Sequence, residues 1–255
     1  MANVVLEAQK LVKIYNAYSE NAFEALHGVD FKVYEGEFVG IMGPSGSGKS
    51  TFINNISTID MPTSGEVRIN GHDVKLMSDE EVGKFRYDNL GFIFQDFNLL
   101  DTHTIFENIA MPLSLAKMDE KEITKRVNEL ADRMNITITL EKLPFECSGG
   151  QRQRGAICRA LVNNPNIIMA DEPTGKLDSA NSSQLMKIFQ KMNEEDKVTI
   201  VMVTHDPLIA SYTSRLIFIK DGMIQKELSK GDMTQDEYFQ KIVEINSEES
   251  RGIIQ

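Results

Sequence analysis

The run Gly43-Pro44-Ser45-Gly46-Ser47-Gly48-Lys49-Ser50-Thr51 restricts what this chain can fold into more than any other segment. It satisfies G-x-x-x-x-G-K-[ST] and stands between the apolar FVGIM, read as a buried strand, and FINNIST, whose Phe52, Ile53 and Ile56 fall at helical spacing. Strand, glycine loop and helix in that order form the setting in which this motif cradles phosphate. Glycines let backbone N–H groups curl around phosphate oxygens, and the helix start aims its positive dipole end at the same charge. The Lys49 ammonium then reaches the β and γ phosphates, and the Ser50 hydroxyl is placed to ligate Mg²⁺.

A second constellation has matching chemistry. Ile167-Ile168-Met169-Ala170 is an apolar strand that delivers Asp171 and Glu172 at its carboxyl end, where parallel sheets place their ligands. Asp171 is suited to hold Mg²⁺, directly or through water, and Glu172 to polarise an attacking water as general base.

The rest of the pattern indicates an α/β fold. Early alternating segments (VVLEAQKLVKIY, then FKVYEGEFVGIM with a turn at Gly36-Glu37) read as strands, as do GEVRINGHDV around an Asn-Gly pair and LGFIFQ. From about 97 the character becomes helical. In EKEITKRVNELADRM, Ile123, Val127, Leu130 and Met134 recur every three or four residues. After this insertion, helix (Gly150 to Leu161), strand (NIIMAD), helix (SSQLMKIFQKM) and strand (TIVMVTH) alternate, which calls for a parallel sheet. The stretch from Ser229 to Gln255 is polar and acidic, with one apolar helical pattern at Tyr238, Phe239 and Ile242.

Composition removes several alternatives. With 27 Lys+Arg against 38 Asp+Glu the net charge is −11, which opposes a general attraction to nucleic acid. The two cysteines, Cys147 and Cys158, suggest neither a disulfide framework nor a zinc site. No basic-then-apolar leader and no bilayer-length apolar run is present, so a cytoplasmic chain that meets a membrane only through a partner is expected.

The segment Cys147-Ser148-Gly149-Gly150-Gln151 resembles the LSGGQ signature of the ATP-binding subunits of ABC transporters, and it stands shortly before the IIMADE strand, as in that family. The resemblance runs from about residue 4 to 225. It implies a P-loop NTPase of ABC type: a mixed, mostly parallel sheet core with an antiparallel β subdomain and an inserted α-helical subdomain at about 97–160. The ATPase domain is expected over 1–228, and 229–255 as a short acidic tail. By position, Tyr15 matches the aromatic residue that stacks on adenine, and Gln95 the glutamine that contacts Mg²⁺ or the attacking water. His205 matches the histidine that contacts the γ-phosphate, and Asp178 a dimer-contact loop. Ser148, Gly149, Gly150 and Gln151 would act in trans, capping ATP held by the other copy in a head-to-tail homodimer that ATP closes. Two positions depart from the pattern. Cys147 stands for the usual Leu, either as a small buried hydrophobe or as a thiol near phosphate. Lys176 stands where Ala or Asn is commoner and adds charge near the dimer seam.

Within the family, FQDFNLL with ENIAMPL and DEPTGKLDS are similar to cassettes that serve FtsX-like permeases. These cover lipoprotein release, macrolide and peptide efflux, division control and antimicrobial-peptide resistance. SKGDMTQDEYFQKIV resembles the C-terminal extension of the bacitracin and lantibiotic resistance group, which implies a ten-helix permease and a sensor histidine kinase as partners. Three readings stay open: the ATPase subunit of a membrane transporter, a soluble ABC protein of ribosomes or DNA repair, and a regulatory or lipoprotein-release cassette that transmits force. A single cassette with a compact insertion and an acidic balance speaks against the second.

Overall fold

Two sheets organise the chain in the computed structural model, which describes residues 3–251. Residues 1, 2 and 252–255 of the expected domain and tail lie outside that range. The first sheet is antiparallel and is built from β1 (Val4–Tyr15), β2 (Phe23–Tyr34), β4 (Ser64–Ile69) and β5 (His72–Asp73), in the order β2-β1-β4-β5. Asn70 and Gly71 close its last hairpin with φ of 50° and 78°, the positive pair that a tight two-residue turn needs.

The second sheet has the order β10-β9-β3-β8-β7-β6. Its members are β3 (Phe38–Met42), β6 (Leu90–Ile93), β7 (Ile167–Asp171), β8 (Thr199–Val203), β9 (Arg215–Lys220) and β10 (Met223–Ser229). All its pairings are parallel except that of β10 with β9, so the sheet is mixed and mostly parallel, as expected. The period of two decides the packing. Ile168, Ala170, Ile200 and Met202 enter a core shared with the helical insertion. Ile167, Met169, Val201 and Val203 enter another, shared with α1 (Lys49–Ile56) and the antiparallel sheet.

The insertion carries α3 (Ile105–Leu115), α4 (Glu120–Arg133) and α5 (Gly149–Leu161), and α4 buries Ile123, Val127 and Ala131 in the first core. The sequence pattern gives no warning of α2 (Asp79–Asn89), because Val82 is the single residue it buries and no apolar stripe results. Its readable signal is a capping box: the Ser78 amide donates to Glu81 Oε2 at 2.7 Å and the Glu81 amide to Ser78 Oγ at 3.4 Å.

After α6 (Ser179–Asp196) and α7 (Pro207–Ala210), the acidic C-terminal stretch forms α8 (Gln235–Arg251). Tyr238 and Ile242 of α8 are fully buried in a third apolar cluster with Met42, Ala210, Leu216 and Phe218. The Tyr238 hydroxyl donates to the Leu228 carbonyl at 3.1 Å, and burial pushes its pKa up to about 12. Among the described residues no helix is long and apolar enough to cross a membrane.

Candidate nucleotide site

The loop between β3 and α1 is closed by contacts that only glycine permits. A Cβ on Gly43 would stand 1.9 Å from the Ile219 carbonyl oxygen, and one on Gly48, whose φ is 98°, 2.8 Å from that of Ala25. Lys49 opens α1 and is nearly buried, and its ammonium donates to the Gly43 and Pro44 carbonyls at 2.9 and 2.7 Å. Burial lowers its pKa, while Glu172 and Asp171 pull it partly back up. Lys49, Ser50 and Thr51, with the loop glycines and Ser45, line one open cleft together with Glu172, His205, Phe23 and Ala25.

The acids enter from the neighbouring strands. β7 ends at Asp171, paired in register with Val203 of β8, and Glu172 follows at φ 46°, a left-handed backbone that is costly for a side chain of its kind. The Glu172 amide donates to the Val203 carbonyl at 3.0 Å, and His205 Nδ1 lies 3.0 Å from Glu172 Oε1. Burial raises the Asp171 pKa, and the adjacent Glu172 charge adds to the rise; the Ser50 hydroxyl and Lys49 oppose it. Asp171 Oδ1 and Ser47 Oγ are buried without a hydrogen-bond partner in the chain. Buried polar atoms of this sort are normally completed by something, and a carboxylate beside a hydroxyl with a lysine over a glycine loop fits a magnesium-bound phosphate group.

The other expected positions are distributed around this cleft. Gln95, after β6, is exposed and lies against the strap that follows β7, since a Cβ on Gly175 would stand 2.8 Å from its Nε2. Tyr15 lies outside the cleft lining: its hydroxyl donates to Asp60 Oδ2 at 3.0 Å and the Lys13 ammonium sits 5.0 Å from its ring centroid. Its cross-strand partner Phe23, 60% exposed, supplies the aromatic surface at the cleft. Sequence reasoning missed Phe23, although an aromatic residue at the start of the strand paired with β1 was available as a signal.

Ser148, Gly149, Gly150 and Gln151 are not among the cleft's lining residues. Ser148 caps α5 in a box with Gln151, with the Ser148 amide donating to Gln151 Oε1 at 2.9 Å and the Gln151 amide to Ser148 Oγ at 3.3 Å. Asp178 caps α6 and accepts from the Asn181 amide and side chain, both at 2.8 Å. Asn181, a second missed residue, lies where the starts of the two helices approach: a Cβ on Gly150 would meet its Oδ1 at 2.7 Å. Cys147 is buried and burial raises its thiol pKa, so it packs as a small hydrophobe.

The family model described as "ABC transporter" matches residues 26–175. Relatives include the ABC transporter ATP-binding protein YvcR of Bacillus subtilis, 48% identical over 95% of this chain and 94% of its own length. The bacitracin export ATP-binding protein BceA of Halalkalibacterium halodurans is 46% identical over 94% of each chain. Among solved structures, the dimeric ABC transporter cassette MJ0796 superposes with a TM-score of 0.82 at 42% identity, over 88% of this chain and 98% of that one. The same cassette in a dimeric post-hydrolysis state, bound to ADP and Pi, gives the same figures. Fold and phosphate cleft together define a P-loop nucleotide hydrolase. The chain belongs to the ABC transporter family, as an ATP-binding, ATP-hydrolysing component.

Proposed function

We propose that this chain powers an integral membrane permease by Mg²⁺-dependent ATP hydrolysis in a head-to-tail homodimer, from a position on the inner face of the cell membrane. The observation that carries this reading is the convergence of Lys49, Ser50, Glu172 and His205 on one cleft while the signature at Ser148 stands apart from it, leaving two half sites per chain. Gly43 to Thr51 hold the triphosphate through backbone N–H groups, and Lys49 neutralises its outer phosphates. Ser50, Asp171 and Gln95 would hold Mg²⁺, which would supply charge neutralisation on the phosphates. Glu172 takes a proton from water, and His205 holds the Glu172 carboxylate in place. The α5 N-terminus, with Ser148 to Gln151 and the Asp178 loop, caps the nucleotide of the second copy, so ATP closes the dimer.

The helical insertion of about 97–160 and the Gln95 loop dock on the permease. Similarity to the bacitracin exporter subunit BceA over nearly the full length of both chains favours an FtsX-like permease and a role in antimicrobial-peptide resistance. The 43% identity to the macrolide exporter MacB, of whose length this chain matches 33%, supports the same permease branch.

The test is affinity capture of a tagged Glu172→Gln chain from solubilised native membranes with ATP. A ten-helix permease, alone or with a sensor histidine kinase, upholds the peptide-resistance reading. A four-helix permease replaces it with lipoprotein release, efflux or division control, and capture of ribosomes or DNA-repair proteins without a permease overturns the transporter reading.

A further inference from the structure

The strap after β7, residues 172–178, touches three separate parts of the site. Glu172 meets His205, and Gly175 packs against Gln95. Next, the Lys176 carbonyl lies 3.8 Å from where a Cβ on Gly149 would stand, beside the start of the signature helix. Lys176 also reaches sideways: its ammonium forms an ion pair with Asp96, the residue after Gln95. Lys176 is the position at which the strap departs from the family pattern, and its charge is thus engaged by the loop that carries Gln95.

We propose that Lys176 and Asp96 form a positioning clasp. The pair fixes the Gln95 loop to the strap, so that Gln95, Glu172 and the signature helix move as one body, and a shift at the dimer seam reaches the loop that faces the permease. The clasp rests on the reading of Glu172 and Gln95 given above. Both side chains are substantially exposed, 50% and 68%, so the pair contributes little to folding. A weak contact suffices for this task, because an exposed loop needs only a small bias between two arrangements.

Steady-state ATPase kinetics of the full chain test the clasp, with melting temperature as a control. Lys176→Ala and Asp96→Ala should each lower kcat by about two- to fivefold, the size an exposed ion pair commands, with KM for ATP and melting temperature unchanged. The double variant should be no slower than either single one, and Lys176→Asp combined with Asp96→Lys should restore most of the rate. The deficit of the single variants should shrink in high salt, as screening removes the pair from the wild type as well. Unchanged kcat in the single variants, additive losses in the double variant, or no recovery in the charge swap would each overturn the clasp. Glu172→Gln measured alongside separates the two readings: retained turnover there defeats the site assignment, whereas its loss with wild-type behaviour of the pair variants defeats the clasp alone.

Discussion

His205 Nδ1 and Glu172 Oε1 stand 3.0 Å apart although 33 residues separate them in the chain. Parallel pairing of β7 with β8, in register from Ile167↔Thr199 to Asp171↔Val203, brings the two strand ends level. The Glu172–His205 geometry is therefore a product of sheet register, and a slip by one residue would turn the shifted strand's side chains to the opposite face.

Asp171 is costly to the nucleotide-free fold. Its pKa is raised above 3.8, mainly by burial and then by Glu172, so the folded chain holds this proton more tightly than the unfolded one. Stability falls as pH rises through the window above 3.8, and the full cost is present once the carboxyl is ionised in the fold. Asp171→Asn should raise the melting temperature at pH above that window, by about 2–4 °C for each ~1 kcal/mol relieved. It should also remove Mg²⁺-dependent turnover. A lower melting temperature, or near-normal Mg²⁺-dependent hydrolysis, would contradict this account.

The separation of Ser148 from the cleft predicts complementation. Lys49→Ala alone should weaken ATP binding by at least tenfold, the loss of one charge-assisted contact to phosphate. Ser148→Arg alone should stop turnover with binding kept. An equal mixture should recover at most about a quarter of wild-type turnover, because about half of the dimers are mixed and each keeps one intact site of two. No recovery, with mixed dimers shown to form, rules out action in trans.

Tyr238 anchors α8 behind the phosphate loop. Tyr238→Ala should cost about 3–5 kcal/mol in urea unfolding, the range for emptying an aromatic site. Tyr238→Phe, which keeps the ring and loses the hydroxyl with its bond to the Leu228 carbonyl, should cost about 1 kcal/mol. An alanine variant within 1 kcal/mol of wild type would mean that the cluster closes without the ring.

The phosphate loop, the Asp171-Glu172 pair and the core strands are legible in the sequence because each is a local pattern: glycines at fixed offsets, or an apolar run ending in acids. Elements whose meaning depends on a distant partner are not. Phe23 counts because β2 lies against β1 and beside the loop, and Asn181 because α6 crosses the start of α5. The tail reads as polar and acidic in sequence, while Tyr238 and Ile242, fully buried among its described residues, find their cover on β3, α7 and β9. Lys176 is visible as an unusual charge, and only the folded loops reveal Asp96 as its partner.

The sheet order also bears on how the protein is made. β3, which delivers the phosphate loop, pairs with β8 on one side and β9 on the other. Residues 38–42 are synthesised before the helical insertion, whereas both of their neighbours, at 199–203 and 215–220, follow it. A nascent chain on the ribosome accordingly carries the glycine motif long before it has a walled cleft to hold it. Such late, long-range closure is slow and leaves apolar strand edges exposed in the interval. A nucleotide that binds only the walled cleft then stabilises the chain by mass action once these strands have paired, and not before.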